Sequence, residues 1–117
     1  MNKKEISLVI GSIFEDLNEL LKLLNHLDSN IDYLTEIICV ISGVNTQEKK
    51  KKLSLLNQIL NIKIGIVSLE DIVMPGEARN IGILKSKYEY ICFLDSYPLP
   101  DKNWLKNSLS ILEEKNL

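Results

Sequence analysis

A chain of 117 residues with 45% hydrophobic side chains has the material for one core and is expected to form a single domain. Its net charge of −2 and pI near 5.4 exclude the concentrated basic excess of a nucleic-acid binder. No apolar run approaches the ~20 residues of a membrane span, and Met1-Asn2-Lys3-Lys4-Glu5 leads into a strand pattern instead of a signal-peptide core, so a cytoplasmic protein without a transmembrane segment is expected.

In chain order, residues 6–10 form a short apolar run ended by Gly11-Ser12, the signature of a buried strand. Phe14, Leu17, Leu20, Leu21, Leu24 and Leu27 then recur at helical spacing until Asp28-Ser29-Asn30 stops the pattern. Residues 37–41 are a second buried strand closed by Ser42-Gly43, and Asn45 with Glu48 marks a helix start. That helix turns Leu53, Leu56, Ile59 and Leu60 inward and leaves the run Lys49 to Lys52 as a solvated face. Residues 61–67 alternate as a third strand, and residues 68–76, with Pro75-Gly76, read as a loop.

Residues 78–85 read as a short helix in which Ala78 and Gly82 make a small-residue face able to approach a sheet closely. Residues 90–94 are the fourth strand. Pro98 and Pro100 then break the chain, Asp101 caps the last helix, and Trp104, Leu105, Ser108, Leu109, Ile111 and Leu112 supply its apolar stripe. Alternating continuous apolar strands and helices call for an α/β fold with a mainly parallel sheet covered on both faces. His26, on the polar side of the leucine-rich helix, reads as a surface or boundary residue, and Glu113 and Glu114 as solvating residues of a helix end.

One segment carries chemistry. Gly76-Glu77-Ala78-Arg79-Asn80-Ile81-Gly82-Ile83 is followed, after a short helical run, by an apolar strand ending in Asp95-Ser96-Tyr97. This resembles the donor-site signature of family 2 glycosyltransferases, in which Ala-Arg-Asn-x-Gly opens a helix and a buried strand then ends in Asp-x-Asp. The resemblance extends from Ile6 to about Leu105 and implies the nucleotide-sugar-binding half of a GT-A domain, Rossmann-like, with strand order 3-2-1-4. That order puts strands one and four beside the topological switch point, where open α/β sheets bind ligands at the strands' carboxyl ends. It also separates Cys39 from Cys92 by a whole strand, beyond disulfide reach, so both are expected as thiols.

The resemblance implies donor-binding roles for Gly11, Ser12, Ser42, Gly43, Arg79, Asp95 and Tyr97, and a manganese or magnesium ion beside Asp95. Each residue also has a plainer reading. Arg79 serves either the donor's diphosphate or an ion pair with an acidic neighbour such as Glu77 or Asp95. Asp95 either meets ribose and metal or caps a turn. Tyr97 stands where the family's second carboxylate falls, and a phenol protonated up to a pKa near ~10 is no ligand for a hard cation. Val40-Ile41-Ser42-Gly43-Val44 stands where the family shows Val-Asp-Asp-Gly-Ser, so Ser42 is left as the group able to accept from a base. Phe14 either stacks on that base or starts the helix core.

Two functions from different classes follow. The first is a truncated or divergent family 2 glycosyltransferase domain that binds a nucleotide-sugar and transfers the sugar only when missing segments complete it, so that the isolated chain is inactive. The second is a non-catalytic α/β module that binds a protein partner or another copy of itself. A receiver-like or flavodoxin-like domain fits less well, because the acidic pair and the phosphate-cradling loop of those folds are missing.

Overall fold

The computed structural model describes residues 5–27, 33–58, 64–96, 99–101 and 103–114. Four strands alternate with four helices: β1 (Ile6–Ile13), α1 (Leu17–His26), β2 (Glu36–Ser42), α2 (Gln47–Leu53), β3 (Ile64–Leu69), α3 (Pro75–Lys85), β4 (Tyr90–Asp95) and α4 (Trp104–Glu114). All neighbouring strands are parallel, in the order β3-β2-β1-β4. The α/β class and the strand order are those expected from the sequence.

Strand alternation divides the core in two. Ile6, Leu8, Ile10, Ile37, Cys39 and Ile41 face one side, where Leu20, Leu23, Leu24 and Leu27 of the first helical segment and Leu105 of α4 bury them. Val9, Ile38 and Val40 face the other side and meet Ala78 of α3. The three-layer arrangement follows, since a parallel sheet apolar on both faces must be covered on both.

α3 lies close to the sheet because its inner face is small. Ala78 and Gly82 are buried, and a Cβ added at Gly82 would overlap Val9. The helix starts earlier than the sequence suggests. Pro75, read as loop, occupies the first turn, where its missing N–H costs nothing and its fixed φ suits the helix. Arg79 therefore lies beyond the first turn.

Three other boundaries move for physical reasons. β1 continues through Gly11 and Ser12 to Ile13, because β2 pairs with it as far as Ser42. The cap of α2 is Thr46, extended at φ −137° and ψ 158°, whose hydroxyl accepts from the Lys49 amide at 3.2 Å. Asn45 instead accepts from the Lys49 ammonium at 3.0 Å. β3 spans Ile64–Leu69, two residues further than its apolar run, because Ser68 and Leu69 still pair with Ile41 and Ser42.

At the amino edge of the sheet, Glu36 is buried, and its Oε1 accepts from Ser7 Oγ at 2.7 Å and from the Lys87 amide at 2.8 Å. His26 is a boundary residue whose Nε2–H donates to the Pro100 carbonyl at 2.7 Å, tying the end of α1 to the approach to α4. Asp101 opens the last helix by accepting from the Asn103 amide at 2.8 Å. Cys39 and Cys92 are free thiols, paired in register with Ile10 and Leu8 on opposite sides of β1. Among the described residues no helix is long and apolar enough to cross a membrane. The expected Asp28-Ser29-Asn30 stop, Ile59, Leu60, residues 61–63 and Pro98 lie outside the described residues, as do the side chains of Leu112 and Glu113.

Candidate functional site

The carboxyl ends of β1, β2 and β4 and the start of α3 enclose a cavity of about 260 Å³. Its apolar wall is Gly11, Ile13, Val73, Pro75 and Ala78. Ser12, Ser42, Ser96, Asp16 and Asp95 supply its polar groups. Register explains the gathering: Gly11 stands opposite Asp95 on β4, and Ile13 opposite Ser42 on β2. Alternation then sends Gly11, Ile13, Ser42 and Asp95 to the side that α3 covers. At Gly11 an added Cβ would sit 3.4 Å from that of Ala78, so the glycine floor keeps room between sheet and helix.

Of the residues expected at a donor site, Gly11, Ser12, Ser42 and Asp95 line this one cavity. Arg79 stands beside it, its Nη2 3.5 Å from Asp95 Oδ2, with both side chains about half exposed. Gly43 is not among the lining residues. With φ at 79° it holds the left-handed turn that takes the chain out of β2, a conformation glycine adopts without strain. Tyr97 lies outside the described residues.

Phe14 is partly buried against the core, with the Lys49 ammonium 5.2 Å from its ring centroid, which is the core reading and not the stacking one. Lys49 is correspondingly not part of a solvated face. Its ammonium donates to the Gly43 carbonyl at 3.3 Å and lies 3.9 Å from Glu15 Oε1, so it braces the turn after β2, while Lys50, Lys51 and Lys52 are exposed as expected.

Sequence reasoning missed Asp16. An acidic residue just ahead of a helix is ordinarily its cap, yet Asp16 makes no capping hydrogen bond and lines the cavity. The available signal was an acid shortly after a strand that ends at the switch point.

Among the described residues the set of side chains able to hold a manganese or magnesium ion is small. Hard cations of this kind take several oxygen ligands, with carboxylates in the lead. The Asp95 carboxylate is engaged by a guanidinium, and among the described residues no three His, Cys, Asp or Glu side chains come together. What the cavity offers is different: an apolar slot with hydroxyls and carboxylates at its edges, and one arginine at its rim.

The profile of the family "Glycosyl transferase family 2" matches residues 7–117, and the chain belongs to that family. Similar solved structures include S. aureus TarS residues 1–349, at 19% identity and a TM-score of 0.68, covering 94% of this chain and 32% of that one. The crystal structures of the same TarS fragment with UDP-GlcNAc and with UDP are each 21% identical, with a TM-score of 0.68, and cover 94% of this chain. At this identity the likeness establishes the fold, and the chain spans about a third of the length of those fragments. No curated protein matches the chain by sequence.

Proposed function

We propose that the chain is the nucleotide-sugar-binding part of a family 2 glycosyltransferase, and that its cavity holds the nucleoside end of a donor whose diphosphate reaches Arg79. The observation that carries this reading is the meeting of Gly11, Ser42 and Asp95 in one cavity at the switch point of a family 2 fold, with Arg79 at the rim. Support comes also from similarly folded TarS fragments crystallised with UDP-GlcNAc and with UDP.

In this reading each group has a limited task. The apolar wall receives a flat ring, and the hydroxyls pair with its polar edge. Arg79 holds negative charge by charge-assisted hydrogen bonds, stabilising a diphosphate both as part of the donor and as leaving group. Asp95 keeps the guanidinium aimed across the cavity mouth. In this reading the cavity serves the leaving-group side of the transfer, and the base that deprotonates the acceptor hydroxyl comes from outside it.

The test is calorimetric titration with UDP, UDP-sugars and free uridine, with and without manganese. Weak binding of UDP that manganese hardly changes is expected, because Arg79 and not a protein-held cation meets the phosphates. Absence of any UDP binding at millimolar concentration would leave the second reading, a partner-binding module that keeps the family fold. That reading is favoured by one observation, the engagement of Asp95 by Arg79 in place of a carboxylate cluster.

A further inference from the structure

The side chain of Lys49 joins two segments of the chain that the sheet no longer holds together. The ladder between β1 and β2 ends at the pair Ile13 and Ser42. Past it β1 turns away through Phe14–Asp16, while the chain leaving β2 leans on β3, the Val44 amide donating to the Leu69 carbonyl at 2.9 Å. Lys49 spans the gap. On the β1 side its ammonium meets the Phe14 ring, 5.2 Å away at the centroid, and Glu15 Oε1 at 3.9 Å. On the β2 side it donates to the Gly43 carbonyl at 3.3 Å and to Asn45 Oδ1 at 3.0 Å. Its starting point is fixed too, because Thr46 caps α2 through the Lys49 amide. These partners are chain neighbours of the cavity residues. Phe14 and Glu15 lie between Ile13 and Asp16, and Gly43 follows Ser42; Ile13, Asp16 and Ser42 line the cavity, whereas Lys49 does not.

We propose that Lys49 is a positioning residue of the nucleotide site: it ties the turn leaving β1 to the turn leaving β2, and so holds the two walls of the cavity at a fixed spacing without touching the ligand. This rests on the proposed nucleotide-binding role. A cavity whose walls drift apart is competent to bind for only a fraction of the time, and its apparent affinity falls by that fraction. A brace removes the loss by holding the competent arrangement before the ligand arrives. The chemistry at Lys49 is that of a brace and not of a phosphate lure. An ammonium has three N–H donors, and here they are directed at a carbonyl, an amide oxygen and a carboxylate of the protein itself. Glu15 and the π face of Phe14 offset its charge. The carbonyl it grips belongs to Gly43, whose φ of 79° sets the direction in which the chain leaves the cavity wall. By contrast Arg79, at the rim, has one acidic partner and half of its side chain exposed.

The test titrates wild type, Lys49→Met, Lys49→Arg and Lys50→Met with uridine and with UDP, each variant's fold checked by circular dichroism. Lys49→Met keeps the stem and removes the ammonium, and should weaken uridine and UDP alike by about 3- to 10-fold, because the nucleoside end is what the two walls hold. The salt dependence of UDP binding should stay that of the wild type, since no phosphate contact is lost. Lys49→Arg, which can still reach both turns, should recover most of the affinity. Lys50→Met removes an equal charge from the next position, where the side chain is exposed, and should change neither ligand. A folded Lys49→Met variant that binds both ligands as the wild type does overturns the proposal. So does one that loses UDP but not uridine, which would make Lys49 a phosphate contact, and so does an equal loss in Lys50→Met, which would make the effect one of net charge. If Lys49→Met does not fold, Glu15→Gln decides: with the ion pair removed, uridine and UDP should both weaken, and unchanged affinity for both overturns the brace. If neither ligand binds the wild-type chain at millimolar concentration, the proposed function itself fails, and this inference with it.

Discussion

Gly82 of α3 faces Val9 of β1 so closely that a methyl group in place of the glycine hydrogen would overlap the valine's Cγ1. The contact sets the distance between helix and sheet, and with it the width of the cavity that Ala78 and Gly11 line one turn earlier. Gly82→Ala therefore carries two opposed effects. A helix-interior glycine gains about 1 kcal/mol on becoming alanine. Overpacking a filled core costs about 1–3 kcal/mol, and Val9, 1% exposed and stiff at χ1, has little freedom to yield. A net loss of up to about 2 kcal/mol in urea unfolding is expected. Val9→Ala introduced into Gly82→Ala should recover part of it, so that the double variant is more stable than the sum of the two single changes allows. Strict additivity would show that the helix simply slides outward.

A second prediction concerns the opposite edge of the sheet. The Glu36 Oε1 atom accepts from Ser7 and from the Lys87 amide, joining β1, β2 and the approach to β4. Glu36→Ala removes the acceptor and strands two donors, one of them on the fully buried Ser7. The loss should be about 2 kcal/mol or more, since each unsatisfied buried group costs roughly 1–3 kcal/mol. Glu36→Gln keeps an acceptor oxygen in place and should cost distinctly less. Equal losses for the two variants in denaturant unfolding would mean that packing of the side-chain stem, and not hydrogen bonding, dominates.

The cysteines give a pH dependence. Burial of Cys39 within the sheet core pushes its thiol up to about 12, and partial burial raises that of Cys92. An unfolded thiol near its ordinary value of 9.0 ionises first, so the unfolded chain loses protons before the folded one does. The stability held by the neutral Cys39 is complete below pH 9 and falls progressively between there and about pH 12. Cys39→Ser or Cys39→Ala should flatten that decline. In native protein at pH 8, iodoacetamide should modify Cys92 faster than Cys39, and both should react at equal rates in denaturant. Rapid modification of Cys39 under native conditions would contradict the closed core.

Much of this fold was legible because apolar continuity and helical spacing are local signals. The four strands, the leucine face of α1 and the small-residue face of α3 follow from side chains whose partners are set by period alone. Boundaries were less legible. Pro75 reads as a breaker until its place at the start of a helix makes its missing N–H harmless, and Thr46 displaces Asn45 as cap because backbone angles, not residue preference, choose between adjacent candidates. The site was half visible. Gly11, Ser12, Ser42 and Asp95 carry positional signals at strand ends, whereas Asp16 enters the cavity only through the turn at Phe14–Asp16, and Lys49 finds Glu15 only in three dimensions. Such contacts have no period.

The last prediction separates the two roles of Arg79. Its ion pair with Asp95 spans 3.5 Å between side chains that are each about half exposed, and pairs of this kind contribute about 0–1 kcal/mol to folding. Arg79→Ala should therefore shift the unfolding free energy by less than about 1 kcal/mol. If the guanidinium meets a diphosphate, the same substitution should weaken UDP binding by about 10- to 100-fold, since hydrogen bonds to charged groups are worth roughly 1.5–3 kcal/mol. Uridine, which lacks the phosphates, should bind the variant and the wild type alike. Arg79→Lys keeps the charge but not the planar fork, and should recover only part of the loss. Binding of UDP to the wild type should weaken as salt rises, and binding to Arg79→Ala should respond less. An Arg79→Ala variant that unfolds as the wild type does and binds UDP equally well would confine Arg79 to its partnership with Asp95 and remove it from the donor site.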